Sequence, residues 1–92
     1  MVKVILVTTK TCPFCPIAKI LWRKLQKDYD FDFEEVDADS ERGRELVEKF
    51  EIRAVPATIL QDENGERLAF VGVPSEEEAK KVIGYGRMDQ GD

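Results

Sequence analysis

Val2-Lys3-Val4-Ile5-Leu6-Val7-Thr8-Thr9-Lys10-Thr11-Cys12-Pro13-Phe14-Cys15-Pro16-Ile17-Ala18-Lys19 is the stretch that decides the fold. Its opening residues are aliphatic or β-branched on both alternating faces, Val2/Val4/Leu6 on one and Lys3/Ile5/Val7 on the other. A near-continuous apolar run of this kind predicts a central strand over residues 2–8, covered on both sides. The period then changes. From Pro13 to Lys27, Phe14, Ile17, Ala18, Leu21 and Leu25 recur at helical spacing. Lys19, Arg23, Lys24 and Lys27 take the other face and the C-terminal turns, where cations suit the helix dipole. Pro13 and Pro16 fall in the first turn, whose N–H groups lack intrahelical partners anyway. The two cysteines of the chain sit at this strand-to-helix junction, separated by two residues.

Outward from the junction, Phe31–Val36 reads as a second strand, parallel to the first through the intervening helix. Ser40 is a predicted N-cap for a helix reaching Phe50, with Leu46, Val47 and Phe50 inward and Gly43 weakening its start. A third strand is expected over Thr58–Gln61. Asn64-Gly65 then marks a hairpin turn into a fourth, Leu68–Val71. Ser75 and Glu78 have capping-box spacing at the head of a last helix with Ala79, Val82 and Ile83 inward. The order βαβαββα predicts an α/β fold with helices on both faces of a four-stranded mixed sheet. One domain is expected over 1–86, with a flexible, aperiodic tail over 87–92.

Two thiols separated by two residues close a disulfide within one helical turn, and a helix N-terminus favours a thiolate. The pattern therefore predicts thiol–disulfide exchange. Cys12 attacks a substrate disulfide, and Cys15, one turn in and more buried, resolves the mixed disulfide. A zinc site would need four ligands, but the chain has no histidine and no third cysteine. A structural disulfide with so small a loop adds little to a cytosolic chain. No metal and no cofactor are expected.

Composition bounds the partners. Ninety-two residues, 42% hydrophobic and 36% charged, fit one globular domain. A net charge of −5 excludes the basic footprint of a nucleic-acid binder. Val4-Ile5-Leu6-Val7 is too short for a secretion signal or a membrane span, so a cytoplasmic protein without membrane contact is expected.

Thr11-Cys12-Pro13-Phe14-Cys15-Pro16 with Ala18-Lys19, then Ile52-Arg53-Ala54-Val55-Pro56, then Phe70-Val71-Gly72-Val73-Pro74-Ser75 follow one another along nearly the whole chain. In these landmarks the chain resembles the thioredoxin/glutaredoxin superfamily, most of all the small glutaredoxin-like thioredoxins of archaea. The resemblance implies a thioredoxin-like fold and a monomeric protein-disulfide reductase. It also implies a cis Pro56 facing the cysteines, against a general preference for trans. Val55 would offer its backbone to an extended substrate segment, as in strand addition. Gly72 and Val73 would form the other wall of that groove, and Pro13 and Phe14 its apolar rim. Phe14 also has the spacing of a core residue. Lys10 reads either as a cation favouring the Cys12 thiolate or as a solvated strand-end charge.

Two departures set this chain apart. Thioredoxins carry a tryptophan before the first cysteine and a buried aspartate six residues before it, where this chain has Thr11 and Leu6. Glutaredoxins bind glutathione with a Gly-Gly pair before the last helix and a lysine three residues ahead of the first cysteine. Here the stretch is Gly72-Val73-Pro74-Ser75 followed by three glutamates, and the lysine is displaced to Lys10. The expected partners are disulfide-containing proteins and a thioredoxin-reductase-like electron donor. A glutathione-dependent glutaredoxin is the alternative, and a non-catalytic binding module a further one.

Overall fold

Val4, Ile5, Leu6 and Val7 are all fully buried, so β1 (Lys3–Thr8) has no solvent face and sits inside the sheet. The computed structural model describes residues 2–84; the predicted tail over 87–92 lies outside them. The remaining elements are α1 (Cys15–Leu25), β2 (Asp32–Asp37), α2 (Glu41–Phe50), β3 (Ala57–Asp62), β4 (Gly65–Val71) and α3 (Glu76–Ile83). The four strands form one sheet in the order β2-β1-β3-β4. β1 runs parallel to β2 and antiparallel to β3, and β3 is antiparallel to β4. This is the mixed sheet with three helices that the pattern predicts.

Alternation along β1 divides the core into two layers. Val4 and Leu6 join Ala18, Trp22 and Leu25 of α1, Leu60 of β3, and Ala79 and Ile83 of α3. Ile5 and Val7 join Val36, Leu46 of α2, Ile52, Ala57 and Ile59 on the opposite face. Both later helices start as predicted. The Ser40 hydroxyl accepts the Gly43 N–H at 3.0 Å. Ser75 and Glu78 form a reciprocal capping box.

α1 departs from its predicted packing. The helix begins at Cys15 rather than Pro13, and its buried stripe is Cys15, Ala18, Trp22 and Leu25. Phe14 is 59% exposed and Ile17 50% exposed, so neither belongs to the core, while Leu21 is only partly buried. The physical reason is Trp22. Once the largest apolar side chain is turned inward, the helix is rotated away from the Phe14/Ile17 face. Burying an indole removes about 150–250 Å² from water, which outweighs either alternative. Trp22 meets Phe31 edge-on at 6.0 Å between ring centroids and Phe70 at 6.5 Å.

Gly43 weakens α2 by propensity, yet the fold requires it. A Cβ there would stand 1.9 Å from the Asp37 carbonyl oxygen. That oxygen is held in place by the Ser40 N–H at 3.0 Å and the Ser40 hydroxyl at 2.6 Å. A helical Gly→Ala change ordinarily gains about 1 kcal/mol. Here Gly43→Ala is expected to reverse that sign and cost about 1–3 kcal/mol through overpacking. A lower urea midpoint at unchanged slope is the measurement that checks it.

Candidate active site

The loop from Thr9 to Phe14 joins the end of β1 to the start of α1 and carries the cysteine pair. Its one internal backbone bond is a long one, from the Cys12 N–H to the Thr9 carbonyl at 3.4 Å. Cys12 and Cys15 are joined as a disulfide with Cα atoms 5.4 Å apart. The two sulfurs are unequal in access. Cys15 is 4% exposed and belongs to the buried stripe of α1, while Cys12 is only half-buried.

The start of α1 is electrostatically open. Phe14 is its N-cap and supplies no side-chain hydrogen bond, Pro16 lies in the first turn, and no acidic residue does. Among the described residues no side chain caps the free N–H groups, and no first-turn carboxylate offsets the positive end of the dipole near Cys12. α3 is the opposite case. Its capping box consumes the Ser75 and Glu78 N–H groups, and Glu76, Glu77 and Glu78 fill its first turn.

The antiparallel register brings a second loop to the same end of the sheet. Val7 pairs with Ala57, and Ala57 pairs with Val71, so β1 ends where β3 begins and where β4 ends. Just before β3, the Val55–Pro56 peptide is cis. The Pro56 carbonyl accepts the Gly72 N–H at 2.7 Å, tying this loop to the end of β4. Gly72 has φ 93°, a conformation that glycine adopts without the steric cost of a Cβ. Val71 and Val73 are exposed, as are Pro13 and Phe14, leaving an apolar surface at this end. The predicted residues thus fall in two groups, Cys12, Pro13, Phe14 and Cys15 at the junction of β1 and α1, and Val55, Pro56, Gly72 and Val73 on the two loops that precede β3 and follow β4. Lys10, on the cysteine loop, lines an open cavity of about 260 Å³ with Thr8, Thr9, Glu35 and Asp37.

Sequence reading missed the row of residues beneath α1. Glu35 of β2 pairs with Leu6 of β1, Leu6 with Thr58 of β3, and Thr58 with Phe70 of β4. Cross-strand partners share a face, and Leu6 and Phe70 belong to the layer packed by α1. Lys19 of α1 bridges to Glu35 at 3.0 Å, and Trp22 covers Phe70 at the other end of the row. The Thr8 hydroxyl donates to Glu35 at 3.0 Å. The period of two along each strand gives the face of each residue, but the cross-strand register that lines the four up is carried by no local pattern.

The fold and the dithiol define a thioredoxin-like oxidoreductase, and comparison with known proteins agrees. The glutaredoxin family model matches residues 4–66. A probable thioredoxin of Archaeoglobus fulgidus is 32% identical over 83 residues, which make up 90% of this chain and 87% of that protein. A mutant thioredoxin of Halobacterium salinarum superposes with a TM-score of 0.78 at 20% identity, over 94% of this chain and 74% of that one. Reduced Schistosoma mansoni thioredoxin pre-protein gives 0.76 at 25% identity, over 92% and 78%. The chain belongs to the glutaredoxin family of the thioredoxin/glutaredoxin superfamily, and it is a thiol–disulfide oxidoreductase.

The Lys19–Glu35 bridge has a pH signature. The Lys19 ammonium hydrogen-bonded to Glu35 holds its carboxyl below the ordinary range, against an opposing desolvation and with help from the Thr8 hydroxyl. A lowered folded-state value means that the bridge stabilises the protein above the ordinary carboxylate pKa. That contribution is lost as pH falls through the lowered value. Both partners are more than a third exposed, so solvent screening limits the effect to under about 1 kcal/mol. Lys19→Met should flatten the acid limb of stability against pH by that amount, as read by urea unfolding at a series of pH values.

Proposed function

We propose that the protein reduces protein disulfides, with Cys12 as nucleophile and Cys15 as resolving thiol. One observation carries the assignment of roles: the half-buried cysteine precedes an uncapped helix start, while the other is buried. The Cys12 thiolate attacks one sulfur of the substrate disulfide, forming a mixed disulfide, and the other substrate sulfur leaves and takes a proton from solvent. The Cys15 thiolate then attacks the Cys12 sulfur. The Cys12–Cys15 bond forms, the bond to substrate breaks, and the second substrate thiol departs. The disulfide described above corresponds to the end of this cycle, and two electrons from a donor restore the dithiol.

Val55 and Pro56 are the substrate-docking element in this reading. Val55 precedes β3 and lies outside the sheet ladder, which leaves its backbone available to an extended segment. Gly72 and Val73 form the facing wall, and exposed Pro13 and Phe14 the apolar rim. Lys10, on the polar cavity, adds positive charge to the approach and contacts no substrate.

A thioredoxin-reductase-like enzyme is the proposed electron donor, in keeping with the name of the archaeal relative. Glutathione fits poorly. Its carboxylates would meet the glutamates of the first turn of α3, where the capping box has already taken two N–H donors. The reading carries with it a monomer working in a reducing cytoplasm, where a dithiol is kept in its active form.

Insulin reduction driven by dithiothreitol tests this reading. Activity is expected from the native chain, none from Cys12→Ser, and from Cys15→Ser a trapped mixed disulfide visible by mass spectrometry. Equal turnover by Cys12→Ser and the native chain would sink the mechanism. Faster turnover with glutathione than with dithiothreitol would replace the proposed donor.

A further inference from the structure

Two buried side-chain polar atoms lack a hydrogen-bond partner among the described residues, Oγ1 of Thr58 and Nε1 of Trp22. Both residues are fully buried. Buried polar atoms are normally paired, and an orphaned one carries a desolvation cost that calls for an explanation.

The two orphans belong to one place. Thr58 lies between Leu6 and Phe70 in the row beneath α1, and the Trp22 ring packs on Phe70. The register of β3 against β4 shifts directly after Thr58, and such irregularities commonly re-aim a side chain beside an active site. Cys15 completes the group. It lies on the same buried stripe of α1 as Trp22, one turn before Ala18, which packs in the layer containing Leu6. β1 ends at Thr8, two residues beyond Leu6, and the cysteine loop follows, so Cys15 starts its helix at the end of β1 nearest this row. In the disulfide its sulfur is neutral and bonded to Cys12, and no donor is required.

We propose that Thr58 is the hydrogen-bond donor to the Cys15 thiolate once the disulfide opens. The inference rests on the dithiol reading above. The donor inventory fits: the hydroxyl can donate, and the thiolate only accepts. The Thr58 orphan is then partnered in the state that needs it. A buried thiol has its pKa raised by desolvation. The Thr58 hydroxyl opposes that rise. In the resolving step the Cys15 proton passes to solvent, and the thiolate attacks the Cys12 sulfur. The electron pair of the broken bond leaves on the substrate sulfur, which takes up a proton. Thr58 keeps its own proton throughout.

The test begins with thiol titration, followed by the ¹³Cβ shift of labelled cysteine in a Cys12→Ser background, where Cys15 is the sole thiol. Thr58→Val keeps the branched shape and removes the donor, and should raise the Cys15 pKa by about one, a tenfold fall in thiolate near neutral pH. Thr58→Ser should stay near the parent. In the two-cysteine protein, release of nitrothiobenzoate from its mixed disulfide with Cys12 should slow about tenfold in Thr58→Val, tracking the lost thiolate. Attack of Cys12 on the parent reagent, measured with Cys15→Ser, should not change. An unaltered Cys15 titration in Thr58→Val, or a Thr58→Ser variant that behaves like Thr58→Val, would overturn the proposal. Thiol titration needs no protein substrate, so it stands or falls independently of insulin reduction.

Discussion

The seating of Trp22 against the sheet fixes where α1 lies, and the position of α1 fixes the cysteines. The indole is clasped between Phe31, just ahead of β2, and Phe70 of β4, while three residues earlier Lys19 reaches Glu35 of β2. Apolar burial supplies the energy and the exposed ion pair supplies little, so the aromatic contact determines the rotation of the helix. That rotation buries Cys15 and turns Phe14 and Ile17 outward. The unequal access of the two sulfurs is thus a packing result, settled two turns away from the chemistry.

The sheet topology brings two further loops to the end of the sheet that carries the cysteines. Because β3 runs antiparallel to β1 and pairs with β4, the ends that follow β1, precede β3 and follow β4 coincide. The Gly72 N–H bond to the Pro56 carbonyl then joins two of these loops into one wall. The helix termini divide their roles by their caps. α1 begins with no side-chain cap and no carboxylate, while α3 begins with a closed capping box and three glutamates. Only the first of these starts favours a thiolate.

The order of elements is legible because each carries a local signal: the unbroken apolar run of β1, the caps at Ser40 and Ser75, and the Asn64-Gly65 turn. The Cys12/Cys15 pair is legible for the same reason. The inward face of α1 is not, because Phe14, Ile17, Ala18, Leu21 and Leu25 satisfy helical spacing as well as Cys15, Ala18, Trp22 and Leu25 do. Periodicity does not weigh side chains, and the volume of one indole decides between the two faces. The row Glu35, Leu6, Thr58 and Phe70 is invisible because register couples strands far apart in sequence, and no local pattern encodes it. Gly43 is a similar case: its intrinsic cost is plain from the chain, while the Asp37 carbonyl that excludes a Cβ belongs to another element.

Leu6 and Thr58 show how a buried polar function can move through sequence while staying in place. Thioredoxins, which this chain resembles, carry a carboxylate at the position of Leu6 on β1. Thr58 is the direct cross-strand neighbour of Leu6, on the same face and in the same layer beneath α1. A polar group carried from one strand to the other therefore stays within reach of the same helix start. The exchange does not preserve the chemistry. A buried carboxylate can take a proton near neutral pH, whereas a hydroxyl can only share one. With a hydroxyl beneath it, the resolving thiol is assisted by stabilising its anion rather than by a base that removes its proton.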